Sequence, residues 1–304
     1  MSRKIRGNLM LLLTAFIWGL AFVAQISGAK EIGAFTFNFS RNVVAGFSLL
    51  VLIWLWPYIM KKPREKEGQE INKPTIVGGI ICGITLTVAM SFQQLGLSGA
   101  RATTAGKGGF ITALYIVIVP LAGIFIGKKV KLKTWLCVFL ATIGLYLLSI
   151  EEGFSIQVGD LLVLISAFFY ALHILVIDNF SPRSNGVKLS MIQFFVAAII
   201  SGIIMLMVEE VSFGSILNSI IPILYAGMFS SGIGYTLQIV AQKDTDPTMA
   251  SLILSLESVF AVLAGVVILG ERLSLRETIG CIIMFLAIVL AQVPSRPRKK
   301  EKLV

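Results

Sequence analysis

The sequence predicts an all-α polytopic membrane protein with ten transmembrane helices, arranged as two inverted five-helix repeats. Three observations carry that prediction: an apolar composition with few charges, long unbroken apolar runs, and Lys and Arg gathered in alternate connections. Of the 304 residues, 56% are apolar and 14% charged, and the mean hydropathy is +0.89. Soluble domains carry about 25% charged residues, so a soluble globular class is excluded. A membrane β-barrel is disfavoured, because its strands alternate apolar and polar residues with period two.

A spanning helix takes about 20 apolar residues. Runs of that kind fall at Leu9–Ala24, Ala34–Trp56, Thr75–Gln94, Thr103–Ile126 and Leu132–Ile150. Five more follow at Gly159–Ile177, Leu189–Val208, Ile216–Val240, Pro247–Leu269 and Thr278–Val293. The first run follows Arg3, Lys4 and Arg6 and precedes Ser27-Gly28-Ala29, the pattern of a cleaved leader. It recurs in the second half of the chain, where no leader belongs, so it is read as a span.

Charge placement supports this count. With the N-terminus inside, twenty of the 26 Lys and Arg lie on inner segments and four (Lys30, Arg101, Arg272, Arg276) on outer ones. Arg41 and Lys107 remain within spans. Glu151-Glu152 and Glu209-Glu210 are assigned to outer loops. The expected location is the plasma membrane, multi-pass, with both termini cytoplasmic. The net charge of +10 lies in these tracts and forms no basic face with interleaved aromatics, so nucleic acid is not an expected partner. The expected partners are the bilayer and a small-molecule substrate, with the chain a monomer or a homodimer.

The chain also repeats itself. GNLMLLLTAFIWGLAFV from Gly7 aligns without a gap on GDLLVLISAFFYALHIL from Gly159, pairing Asn8 with Asp160, Thr14 with Ser166 and Trp18 with Tyr170. GKKVKLK from Gly127 aligns on GERLSLR from Gly270. The boundary falls between residues 150 and 151, giving a first repeat at 1–150 and a second, with a basic tail, at 151–304. Five spans per repeat is an odd number, so the copies would lie upside down relative to each other, with a site where they meet.

The stretch LTAFIWGLAFV, with Arg41 in the next span, resembles the start of an EamA repeat of the drug/metabolite transporter superfamily. SLESVFAVLAGVVILGERLSLRETIG, from Ser255, resembles the end of the second repeat, through Leu256-Glu257, Val259-Phe260 and Leu269-Gly270-Glu271. Ser258 stands where proline is usual; in the first copy Lys128 replaces a glutamate and Tyr115 takes the proline position. GFITALYIVIVP is similar to a subgroup with Leu-Tyr and a later proline. The resemblance implies ten helices in two inverted halves that move small metabolites or drugs, often outward.

Charged and polar residues inside spans are the site candidates, since charge in lipid is costly without a role. Glu257 lies about ten residues into its span, near the midplane at 1.5 Å per residue. A carboxylate there costs about 2.5–3.5 kcal/mol on insertion scales and cannot snorkel. It reads as a substrate-amine contact or proton-coupling group, or else as a structural carboxyl between helices. Lys107 reads either as a snorkelling cation or as an inward cation for a substrate carboxylate or a bridge to Glu257. Arg41 reads as a structural pair or a substrate contact. His173, Asn38, Gln93, Gln94, Gln193, Tyr235 and Gln238 either line an aqueous path or bond between helices.

Gly79/Gly83 and Gly123/Gly127 have the spacing of close-packing seams, and Pro120 is expected to kink its helix. AGKGG lacks the outer glycine and the hydroxyl of a phosphate loop, so ATP-driven transport has no support. Cys82, Cys137 and Cys281 lie in apolar runs and read as small buried hydrophobes. No metal or cofactor is expected. The reading is a secondary transporter, with export of an amino-acid-like or amphipathic drug-like metabolite by alternating access. A facilitative, channel-like permease is the rival. An intramembrane enzyme fits less well, because one histidine and one buried carboxylate make a poor catalytic set.

Overall fold

The computed structural model describes residues 2–59, 71–128, 130–149, 157–269 and 274–293. GERLSLR from Gly270, the pair Glu151-Glu152, most of the Lys61–Lys73 cluster and the basic tail fall wholly or partly outside them. Among the described residues the chain is helical and has no strand. Nine helical stretches among the described residues are long and apolar enough to cross a membrane, and a further apolar helix over Leu132–Leu147 is shorter.

The first three spans are α1 (Arg3–Gly28), α2 (Ala34–Ile59) and α3 (Lys73–Gly96). The fourth is two helices, α4 (Ala105–Ala113) and α5 (Tyr115–Phe125), and α6 (Leu132–Ser149) is the fifth. Then come α7 (Val158–Phe180) and α8 (Gly186–Val208). A short helix, α9 (Phe213–Asn218), precedes α10 (Ile220–Leu224), a π-helical stretch over Tyr225–Tyr235, and α11 (Thr236–Ala241), which together form the eighth span. The ninth is again broken, into α12 (Pro247–Leu254) and α13 (Glu257–Leu269), and α14 (Leu275–Gln292) is the tenth.

Side-chain caps set where many of these helices begin. Asn72, Thr104, Asn185 and Asp246 each accept a bond from the backbone N–H three residues on, satisfying a donor the helix itself leaves unpaired. Ser274 and Glu277 do so reciprocally at the start of α14.

Three local expectations are corrected. The fourth span is not one continuous helix; it is interrupted at Leu114, where Leu114 donates to Ile111 O (3.2 Å) and Val117 donates to Leu114 O (3.0 Å). These tighter i→i+3 bonds let the chain re-enter a second helix, in which Pro120 sits six residues beyond the break. Gly123/Gly127 is not a seam. Gly127 has φ +81° and ends α5, with Lys128 N–H on Gly123 O (2.9 Å) and Gly127 N–H on Ile124 O (3.0 Å). A residue with a Cβ is disfavoured in that left-handed cap. The eighth span starts after Ser219, not at Ile216, because Ser219 N–H closes α9 on Ser215 O and Ile216 O.

The Gly79/Gly83 seam is present, between α3 and α8. A Cβ on Gly83 would stand 2.6 Å from Val196 Cβ and 2.8 Å from Gln193 O. Polarity is arranged inside out. Leu206, Val267 and Phe125 are exposed on the perimeter, while Gln25, Asn38, Arg41, Gln94 and Glu257 are buried. Lipid, not water, suits such a perimeter.

The helices of the two sequence halves interleave. α1 packs on α13, α3 on α7 and α8, α2 on α8, and α6 on α14. The π-helical stretch packs on α1 and α2, α4 and α5 pack on α7, and α12 and α13 meet α5 and α4. Exchanging every span with the one five places away returns this same set of neighbours. The ion pairs among the described residues, Arg6–Asp244, Lys107–Asp160 and Lys128–Asp178, also each join one half to the other.

Candidate functional site

The breaks in the fourth and ninth spans meet in the middle of the bundle. Tyr115 is the first residue of α5 and Glu257 the first of α13, and each lies eleven residues past its span's cap, Thr104 or Asp246. Tyr115 Oη donates to Glu257 Oε1 at 3.0 Å. One residue on, Ser258 Oγ donates to Gly109 O at 3.0 Å, so two bonds tie the breaks together.

α1 comes close enough to wall the site because Gly19 lets it. A Cβ there would lie 2.6 Å from Phe260 Cβ and 2.7 Å from Glu257 O. That approach carries Trp18, Phe22 and Gln25 to a cavity of about 30 Å³ shared with Arg41, Gln93, Thr112, Tyr115, Tyr170, Ser230, Tyr235 and Glu257. Such a volume holds a water or two and no metabolite. The π-helical stretch of the eighth span places Ser230 and Tyr235 on one wall, with Ser231 behind them on Arg41; π segments recur at functional sites. Gly234 makes room there, since a Cβ would stand 2.6 Å from Trp18 Nε1.

Arg41 and Glu257 are both buried, 2% and 3% exposed, and both line this cavity without bonding each other. Arg41 donates to Ser231 Oγ (3.2 Å), Ser230 Oγ (3.2 Å) and Gln25 Oε1 (3.4 Å), and no described carboxylate lies within 4.0 Å of it. A guanidinium has five N–H donors, so neutral oxygens leave its charge uncompensated and donors to spare. Tyr170 Oη donates to Gln93 Oε1 (2.9 Å), whose Nε2 donates to Thr112 Oγ1 (3.0 Å). Trp18 and Tyr235 pack against each other with ring centres 4.5 Å apart and planes tilted by 48°. One buried carboxyl, one buried guanidinium and several aromatic side chains therefore border one space.

Of the residues singled out in the sequence, Glu257, Arg41, Gln93 and Tyr235 border this cavity. His173 packs edge-on against Tyr235 and bonds Gln193 Oε1 at 3.1 Å, one layer out. Gln94 donates to Gln25 O (3.1 Å), so it buttresses the Gln25 that holds Arg41. Asn38 and Gln238 are buried elsewhere in the core, with unpartnered polar atoms. Lys107 does not reach Glu257. It pairs with Asp160 at 2.5 Å, near the ends of α4 and α7, because Asp160 stands at the α7 N-terminus directly across from the start of α4.

Tyr115, Tyr170, Trp18 and Gln25 were not singled out as site residues. Trp18 and Tyr170 did carry a signal: they are partners in the internal alignment.

Both halves of the chain match one family model, described as the EamA-like transporter family, at residues 5–150 and 157–292. The chain belongs to the EamA-like transporter family. A protein of Archaeoglobus fulgidus described as an uncharacterized transporter is 30% identical over 289 residues, covering 95% of this chain and 86% of that one. The uncharacterized transporter YwfM of Bacillus subtilis is 23% identical over 305 residues, covering 98% and 97%. A solved structure, titled only as the crystal structure of a protein, superposes on this EamA-like transporter with a TM-score of 0.74 at 15% identity. It covers 94% of this chain and 96% of its own, and shows that the fold is shared.

Proposed function

We propose that this transporter is a carrier that exports a small metabolite, amino-acid-like or amphipathic, across the plasma membrane by alternating access. The observation behind this reading is that buried Arg41 and Glu257 border one cavity and are not paired with each other. A solute bearing a carboxylate and an amine would satisfy both, and the faces of Trp18, Tyr170 and Tyr235 would suit its apolar part.

Two features support a carrier over a channel-like permease. The cavity is closed down to about 30 Å³, and broken helices from both halves meet at it, as in transporters built from repeats. The neighbour pattern, unchanged when the halves are exchanged, supports a two-fold relation between them; with five spans each, that relation inverts one half. The Lys and Arg distribution supports cytoplasmic termini.

Purified protein in proteoliposomes loaded with candidate amino acids should show saturable counterflow. Arg41→Gln and Glu257→Gln should each weaken it about 10- to 100-fold, the worth of one hydrogen bond to a charged group. Normal transport by Glu257→Gln at every pH, or flux that never saturates, would sink the proposal.

A further inference from the structure

A second pocket, of about 580 Å³, opens at the end of the bundle that carries the N-terminus, where α3 and α8 begin and α11 hands over to α12. Two cations, Arg183 and Lys243, border it, and no described carboxylate lies within 4.0 Å of either. Lys243 Nζ donates to Ser184 O (2.7 Å), and Arg183 Nη2 to Asn179 O (3.1 Å) and Asn179 Oδ1 (3.4 Å). Every one of these acceptors is neutral, and among the described residues neither cation makes a salt bridge.

The backbone adds to the same sign. Asn72 and Asn185, both on the pocket wall, are the caps of α3 and α8, so the positive ends of two long helices converge here. Asn72 Nδ2 donates to Arg183 O (3.0 Å) and Asn185 N–H to Thr75 Oγ1 (3.1 Å), which locks the two ends side by side. Ser184, also on the wall, is 7% exposed, and its Oγ has no hydrogen-bond partner. A buried hydroxyl in that condition calls for a ligand or a water. Partial burial also lowers the pKa of Lys243, with Asp244 acting in the opposite direction.

We propose that this pocket holds a phosphate group, presented by the headgroup of an anionic phospholipid. Phosphate offers Arg183 and Lys243 the anionic acceptor oxygens that their described partners, all neutral, do not supply. Val187 and Val240, on the same wall, offer apolar surface to the adjoining glycerol and acyl chains. Basic pockets between helices at the cytoplasmic face are where such headgroups bind. The site is separate from the central cavity and does not depend on what the carrier moves.

The test uses the full-length protein in nanodiscs of phosphatidylcholine alone, of phosphatidylcholine with phosphatidylglycerol, and of phosphatidylcholine with inorganic phosphate added. Lys243 acetylation by a water-soluble ester is read by peptide mass spectrometry, relative to Lys4, an exposed lysine at the same end. The Lys243/Lys4 ratio should fall with phosphatidylglycerol. Phosphatidylglycerol retention in native mass spectrometry should weaken roughly thirty-fold in Arg183→Gln/Lys243→Gln, the worth of two cations facing an anionic headgroup. An unchanged ratio in all three preparations overturns the proposal. Protection by inorganic phosphate alone overturns the lipid as its source. If the double variant does not fold, the acetylation ratio on the unaltered chain still decides.

Discussion

Tyr115→Phe removes one oxygen and leaves the ring. Glu257 accepts its hydrogen bond from that oxygen at 3.0 Å and is 3% exposed. Interhelical side-chain bonds in membranes average about 0.6 kcal/mol and reach about 1.7. A buried site and a carboxyl acceptor place this bond near the top of that range. A double-mutant cycle isolates it: Tyr115→Phe, Glu257→Met and both together, with unfolding followed by titration with SDS in mixed micelles. Each single change leaves one buried polar group without its partner, whereas the double change leaves neither. The expected coupling is about 1–2 kcal/mol, with the double variant more stable than the sum of the single losses allows. A coupling below about 0.3 kcal/mol would mean that the breaks of the fourth and ninth spans are not held together by this contact.

Asp160→Asn should destabilise by about 2 kcal/mol, between the values for exposed and fully buried pairs, since Lys107 and Asp160 are 15% and 5% exposed. Lys107→Met should cost a similar amount, and the two together less than their sum; additive losses in the same SDS titration would refute the pairing. Gly19→Ala should cost at least about 1–3 kcal/mol, because the new Cβ meets backbone that cannot yield. Gly106→Ala is the control. Nothing lies within 4 Å of its Cβ position, so it should gain up to about 1 kcal/mol from helix propensity.

Span positions were legible because a bilayer demands continuous apolar runs, and each of the ten runs holds one helix or several in succession. The breaks were not legible. Leu114 and Leu256 are ordinary helix formers, and the nearby proline marks no break; the interruptions go with contacts formed only between distant segments, Tyr115 with Glu257 and Ser258 with Gly109. The π winding of Tyr225–Tyr235 is equally silent in the sequence, so Ser230 and Ser231 gave no sign that they receive Arg41.

Glu257 and Arg41 stood out because charge in an apolar run is rare, and both border the cavity. Lys107 stood out for the same reason. Asp160, by contrast, was read only as a conservative match to Asn8, so the ion pair at the α4 and α7 ends went unforeseen. A neutral residue such as Gln25 differs in no visible way from the many other amides in spans.

The interleaving of the halves has a consequence for synthesis. When the first six spans have left the ribosome, α1 has no α13 to rest on and α2 no α8, so the polar faces around Arg41 still stand open to the bilayer. Only when α13 emerges is the packing around α1 complete, and only α14 completes the contact with α6. A truncation late in the gene should therefore unsettle the earliest helices as much as the last, and the nascent chain has to be sheltered from degradation until translation is nearly finished.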